Sequence, residues 1–84
     1  MDEAAVLAQL KVIAVRDLEL SGEVTPALRL KEDLRLDSMQ MIVVAVGLEN
    51  HFKVKLAEED AGALSTVRDL CALVVRRVRE RGGG

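Results

Sequence analysis

The stretch DSMQMIVVAVGLENHF, residues 37–52, decides the fold. Asp37 is a residue type that caps helix N-termini, and Gln40 follows three residues later, which is the spacing of a capping box. From residue 39 to residue 48 only Gln40 and Gly47 are not apolar. A helical repeat of about 100° per residue places five side chains on one face: Met41, Val44, Ala45, Leu48 and Phe52. We therefore predict a helix that begins at Asp37-Ser38 and packs this face into a core.

The same stretch has more apolar side chains than one core face needs. Met39, Ile42, Val43 and Val46 point largely away from the predicted core face. A helix that is apolar nearly all round should be buried nearly all round, and a bundle of this size cannot enclose one. We expect the preceding segment, 23–36, to cover Ile42. Met39, Val43 and Val46 would then stay exposed as a patch that meets a partner.

A first helix and a long loop precede this stretch. The helix is predicted from Glu3 to Leu20, where apolar residues recur every three or four positions, and Ser21-Gly22 would end it. Its stripe consists of Leu7, Leu10, Ala14 and Leu18, flanked by Val6 and Ile13. The loop, 23–36, has no sustained period, and Thr25-Pro26 could start a turn within it. Three leucines would hold this loop on the core: Leu28, Leu30 and Leu34.

Two more helices are predicted after residue 52. Glu58–Asp60 suit the first turn of a short third helix that Gly62 would end. Ser65 or Thr66 would cap a fourth helix, because Asp69 stands in capping-box register. The core stripe of that helix would consist of Val67, Leu70, Cys71, Val74 and Val78.

Composition agrees with an all-α fold. Half of the 84 residues are hydrophobic but only Phe52 is aromatic, so the apolar mass is aliphatic and favours helices. We predict a small four-helix bundle with three main helices, a short third helix and a long loop between helices 1 and 2. It would form a single domain, 1–81, followed by a disordered glycine tail, 82–84.

Several classes of protein are disfavoured by the counts. The single cysteine excludes a disulfide framework and a multi-cysteine zinc site, and the formal net charge of −2 argues against a nucleic-acid binder. The N-terminus is acidic and the longest apolar run, 41–46, is far too short to span a membrane. We expect a cytoplasmic protein that binds neither nucleic acid nor membrane.

No residue pattern indicates a catalytic or metal site. His51 and Cys71 stand on different predicted helices, and we interpret His51 as a solvated residue and Cys71 as part of the core. The acids Glu58–Asp60 are more typical of partners for a helix dipole than of metal ligands, since they lack EF-hand spacing. We predict a protein that is not an enzyme and holds no metal.

Ser38 has two interpretations. It can be a simple helix-terminal residue, as Asp-Ser often is at such a position. Alternatively, its hydroxyl can carry a phosphate, because the unpaired N–H groups of a helix N-terminus stabilise added negative charge. Its position in the sequence does not choose between the two.

A resemblance to a known family favours the second interpretation. Residues 30–39, LKEDLRLDSM, resemble the acyl carrier protein signature apolar-x-(D/E)-D-L-G-x-D-S-(L/M). The similarity extends over essentially residues 24–74. It continues without a gap through Glu49, Phe52, Leu56, Glu58–Asp60, Ala61, Leu64, Thr66 and Val67.

The resemblance implies a prosthetic group and a set of partners. Ser38 would be the residue to which a phosphopantetheinyl transferase attaches 4′-phosphopantetheine from coenzyme A, with Asp37 assisting at the transferase's Mg²⁺ site. The arm would hold an acyl group as a thioester and present it to loading, condensing and modifying enzymes. We expect a monomer. Its partner-binding residues would be Asp37, Met39, Gln40, Val43, Val46 and Glu49.

Two departures from the family pattern bear on the pathway. Arg35 stands where the signature has glycine, and residues 36–52 contain two acids and no base, which is mild for this family. We infer partners that dock mainly by apolar contact, as in a specialised polyketide or modified fatty-acid pathway.

Two other functions are open alternatives. A peptidyl or aminoacyl carrier protein of a nonribosomal-peptide-type pathway would have the same fold. A more distant alternative is a small helical interaction or DNA-binding module without a prosthetic group. The basic end of the last helix, 76–81, is the one feature that supports this alternative.

Overall fold

A computed structural model describes residues 2–18, 23–56 and 64–82 of the chain. This described part contains three α-helices and a long loop. The helices are α1 (Glu3–Arg16), α2 (Ser38–Phe52) and α3 (Val67–Gly82). The described residues contain no strand, and one isolated bridge joins Arg29 to Thr66. The all-α class is therefore confirmed. The predicted short helix near 58–62 lies outside the described residues.

The first helix is shorter than its apolar period suggested. Asp2 caps it by accepting a 3.0 Å hydrogen bond from the Ala5 N–H. The prediction that it runs to Leu20 is wrong, because α1 ends at Arg16. The N–H groups of Asp17 and Leu18 both donate to the Ile13 carbonyl, at 2.8 and 3.3 Å, which closes the last turn and brings Leu18 back towards the core. The predicted stop at Ser21-Gly22 lies outside the described residues.

A reciprocal cap begins α3. The Asp69 N–H donates to Thr66 Oγ1 at 3.2 Å, and the Thr66 and Ser65 N–H groups donate to Asp69 Oδ2 at 3.1 Å. These backbone donors, Thr66 first, lower the pKa of the Asp69 carboxyl because they favour its charged form. Of the two caps that the sequence left open, Ser65 and Thr66, the structure has Thr66.

The other end of α3 differs from the expectation. The helix includes Gly82, the residue at which we predicted a disordered tail to begin. The residues after it, 83–84, lie outside the described part. The disorder of 82–84 stays a prediction, with the helix itself extending through Gly82.

The core contains the predicted stripes, but in α1 the most deeply buried side chains are not those at the predicted centre of the stripe. Val6 and Ile13 of α1 are fully buried, whereas Leu7 and Leu18 are only partly buried. On α3 every member of the predicted stripe packs in or against the core, joined by Leu73 and Val75. Cys71 is a core residue as predicted, and its burial raises the pKa of its thiol to about 11.

The long loop forms hydrogen bonds with the start of α3. The Leu30 N–H donates to the Ser65 carbonyl at 2.9 Å. The Val67 and Arg68 N–H groups donate to the carbonyls of Leu28 and Pro26 at 2.9 and 3.0 Å. Three loop side chains enter the core from this position: Val24, Leu30 and Leu36.

α1 and α2 approach each other closely at Gly47. A Cβ atom added at Gly47 would lie 2.8 Å from Cδ1 and 3.3 Å from Cγ1 of Ile13. Ile13 is fully buried, so its side chain has little room to move away. Gly47 therefore has a packing role within α2, despite the low helix propensity of glycine.

We expect Gly47→Ala to lower the free energy of unfolding by about 1 kcal/mol. The overpacking cost of about 2 kcal/mol exceeds the gain of about 1 kcal/mol in helix propensity. Ile13→Val removes the clashing Cδ1 atom, so the double variant should recover about 1 kcal/mol relative to the sum of the two single changes. Urea unfolding of all four proteins measures this coupling. Strictly additive effects would contradict the close contact.

Candidate functional site

A capping box fixes the first residue of α2. The Gln40 N–H donates to Asp37 Oδ1 at 2.8 Å, and the Asp37 N–H donates to Gln40 Oε1 at 3.0 Å. Both bonds predicted from the Asp37–Gln40 spacing are therefore present. They make Ser38 the first helical residue.

Ser38 is exposed at this end of the helix. The N–H groups of Ser38 and Met39 have no acceptor within the described part of the chain, because the box uses only those of Asp37 and Gln40. Two free donors at the positive end of a helix suit a bound anion. The donor set beside the Ser38 hydroxyl thus fits a phosphate ester on its oxygen.

Arg35 has a backbone conformation that L-amino acids rarely adopt. Its φ is 56°, in the left-handed region where glycine is favoured. Its side chain is exposed and makes no ion pair with the described residues. This position is the one at which the carrier signature has glycine, so Arg35 keeps the turn at an energetic cost and adds a positive charge three residues before Ser38.

An apolar surface follows Ser38 along α2. It consists of Met39, Ile42, Val43 and Val46, which we call the α2 apolar surface. Their exposed fractions are 70, 56, 38 and 44 %, so three of them are exposed as predicted. The prediction that the loop covers Ile42 is wrong, since the loop forms its hydrogen bonds with the start of α3. Ile42 was missed although its i+3 spacing from Met39 is visible in the sequence.

The polar residues predicted to bind partners are held by contacts within the chain. Asp37 and Gln40 bind each other's backbone in the capping box. Glu49 is partly buried, and its Oε2 accepts a 2.7 Å hydrogen bond from the Leu56 N–H. A role of these three side chains in docking stays a prediction.

His51 lies in the last turn of α2, at the other end of the helix from Ser38. His51 is exposed and contacts Phe52 edge-to-face, with ring centroids 4.7 Å apart. In residues 2–18, 23–56 and 64–82 no group of three His, Cys, Asp or Glu side chains could hold a metal ion. Within the same ranges no helix has both the length and the hydropathy to cross a membrane.

Comparison with known proteins identifies the family. A family model for the phosphopantetheine attachment site matches residues 8–74. The acyl carrier protein of Thermosynechococcus vestitus is 30% identical over 79 residues, which are 93% of this chain and 98% of that protein. The chain belongs to the acyl carrier protein family. It therefore takes a covalently attached 4′-phosphopantetheine prosthetic group, and its family consists of carriers rather than catalysts.

Other acyl carrier proteins extend the comparison. That of Helicobacter hepaticus is 32% identical over 65 residues, 76% of this chain and 86% of that protein. The meromycolate extension acyl carrier protein of Mycolicibacterium aurum is 38% identical over 59 residues, which are 70% of this chain and 61% of that longer protein. The crystal structure of a Thermotoga maritima acyl carrier protein shares the fold, with a TM-score of 0.84, 23% identity and coverage of 95% and 94%.

Replacing Arg35 with the glycine of the family signature should stabilise this carrier protein. A left-handed backbone conformation costs an L-residue about 1–2 kcal/mol. Glycine avoids this cost, but it loses about 0.5–1 kcal/mol more conformational entropy on folding. We expect Arg35→Gly to raise the free energy of unfolding by about 0.5–1 kcal/mol in urea unfolding.

Lys31→Gly is the matched control, because Lys31 is an exposed base of the same loop without positive φ. This substitution should be destabilising for the entropic reason alone. The same sign of effect for both variants would rule out backbone strain at Arg35.

Proposed function

We propose that Ser38 carries the 4′-phosphopantetheine arm and that the protein holds an acyl group on it as a thioester. The thiol at the end of the arm supplies the thioester chemistry when the group is bound. In attachment, the Ser38 oxygen loses its proton and forms the new bond to phosphorus, while the remainder of coenzyme A leaves. The free N–H groups of Ser38 and Met39 then lie beside the negative charge of the phosphodiester.

The exposed position of Ser38 at the start of α2 carries this proposal. Asp37 is turned into the capping box, so the Ser38 hydroxyl does not serve as the cap of its own helix. This argues against the interpretation of Ser38 as a simple helix-terminal residue, because Asp37 already caps the helix. Asp37 is also the exposed carboxylate nearest in sequence to Ser38, which supports the expectation that it assists at the transferase's Mg²⁺ site.

We propose further that partner enzymes dock on the α2 apolar surface. Four exposed aliphatic side chains in one helical row are unusual for a small monomeric protein. They begin at Met39, directly beside Ser38, so an enzyme covering them would receive the arm in its active site. Asp37, Gln40 and Glu49 would flank this contact as its polar rim.

The pathway we propose is a specialised polyketide or modified fatty-acid pathway. The mild charge of residues 36–52 supports partners that dock by apolar contact more than by electrostatic steering. The similarity to meromycolate extension acyl carrier proteins agrees with a modified fatty-acid role. The aminoacyl alternative gains no support from these relatives. We propose that the carrier works as a monomer in the cytoplasm.

Modification by a promiscuous phosphopantetheinyl transferase tests the assignment of Ser38. With coenzyme A and Mg²⁺, the intact mass should increase by one phosphopantetheinyl group. Peptide mapping should locate the group on Ser38. Ser38→Ala should keep the helical circular dichroism and show no mass increase. Modification of Ser38→Ala, or an unmodified wild-type protein, would refute the proposal.

A charge on the α2 apolar surface should weaken docking of the same transferase. We expect Val46→Glu to reduce kcat/KM for arm attachment about tenfold, because docking would bury an unpaired carboxylate. Val12→Glu on α1 is the matched control, since Val12 is 47 % exposed against 44 % for Val46. Helical content should be unchanged in both. Equal kinetics of the two variants would exclude this surface as the docking site.

A further inference from the structure

A basic groove lies at the end of the molecule formed by the last turn of α2 and the C-terminal turns of α3. Its cavity volume is about 490 Å³. Lys53 and Lys55 line it from the segment after α2, and Arg77 and Arg81 line it from α3. We call it the α2–α3 groove. α2 has 15 residues and is therefore about 22 Å long, so this groove is one helix length away from Ser38.

The shape of the groove is fixed by contacts distant in sequence. Lys53 adopts left-handed backbone with φ of 59°, which ends α2 and turns the chain towards α3. Arg81 Nη1 donates to the Lys53 carbonyl at 2.6 Å, although the two residues are 28 positions apart. The Glu49 carboxylate on the groove wall is already bound to the Leu56 N–H. The Arg81 bond therefore joins the two walls of the groove.

The described residues at this end carry mostly positive charge. Six of the twelve Lys and Arg residues of the chain lie here, at 53, 55, 76, 77, 79 and 81. Glu80 pairs with Arg76 and Arg77, at 3.7 and 3.4 Å, and Glu49 is the other described acid at this end. Among the described residues at this end, six bases and two acids give a formal charge of +4, and Glu58, Glu59 and Asp60, which follow Lys55 in the sequence, lie outside the described part. Clustered like charges oppose folding, and Lys53 and Lys55 form no ion pair with the described residues.

We propose that the α2–α3 groove binds an acidic segment of a partner protein. Carboxylates spaced along a peptide match ammonium and guanidinium donors on two facing walls. Among the described residues no aromatic side chain lines the groove for a nucleobase to stack on, and the negative net charge disfavours a long polyanion. Such a segment would hold the carrier at a point remote from Ser38 and leave the arm free to reach several active sites. The identity of the partner as an acyl-handling enzyme rests on the proposed function; the binding of an acidic peptide does not.

Titration of the ¹⁵N-labelled protein with acetylated hexaglutamate at low ionic strength tests the proposal. We expect amide shifts confined to residues 49–56 and 77–82, at the groove and the adjoining turns. The double variant Lys53→Gln/Lys55→Gln should bind about tenfold more weakly, since two of the four groove charges are lost. It leaves the Arg81 bond to the Lys53 carbonyl in place, so the fold should be kept.

The control is Lys11→Gln/Lys31→Gln, which removes two exposed lysines elsewhere and changes the net charge equally. Its affinity for hexaglutamate should be close to wild type, as should that of Ser38→Ala, which separates this proposal from the assignment of the arm. Absence of binding, or equal weakening in both double variants, would overturn the proposal. Tighter binding of a DNA duplex to the same residues would replace it with a nucleic-acid site. If hexaglutamate binds only to a variant in which Glu58, Glu59 and Asp60 are replaced by their amides, the groove is occupied by these acids of the chain itself and not by a partner.

Discussion

The reciprocal hydrogen bonds between Asp37 and Gln40 are the constraint on which the site depends. They determine that α2 begins at Ser38 and not one residue earlier or later. A shift of one residue in the packing of α2 would rotate each side-chain position by about 100° and turn the exposed row towards the core. One local cap therefore sets both the position of the Ser38 hydroxyl and the face that α2 presents to solvent.

The contact between Gly47 and Ile13 explains why that face stays open. Because Gly47 has no side chain, α1 lies close enough for Ile13 to fill the space beside it. The core is then completed by Val44 and Leu48 of α2, together with α3 and the loop. No large apolar side chain from the rest of the described chain is needed on the opposite side of α2. The aliphatic residues there are surplus to the core, which is the physical basis for treating them as a docking surface.

Sequence reasoning succeeded where the deciding interaction is local. The caps at Asp37 and Thr66 were predictable because each bond joins residues three apart. It failed where the deciding bond is distant. The loop was expected over Ile42, but its position depends on bonds such as that from Leu30 to Ser65, 35 residues further on. The α2–α3 groove was missed for the same reason, since the Lys53–Arg81 contact has no local signal.

The two strained residues of the described chain lie just outside the two ends of α2, and both are bases. Arg35 and Lys53 have φ of 56° and 59°. At the C-terminal end, the charge of Lys53 complements the negative end of the helix dipole. At the N-terminal end, Arg35 adds to a positive end that already has two free N–H groups, which is unfavourable for the bare protein. A phosphodiester on Ser38 would supply the missing negative charge. The electrostatics at this end of α2 therefore favour the proposed modified form over the unmodified chain.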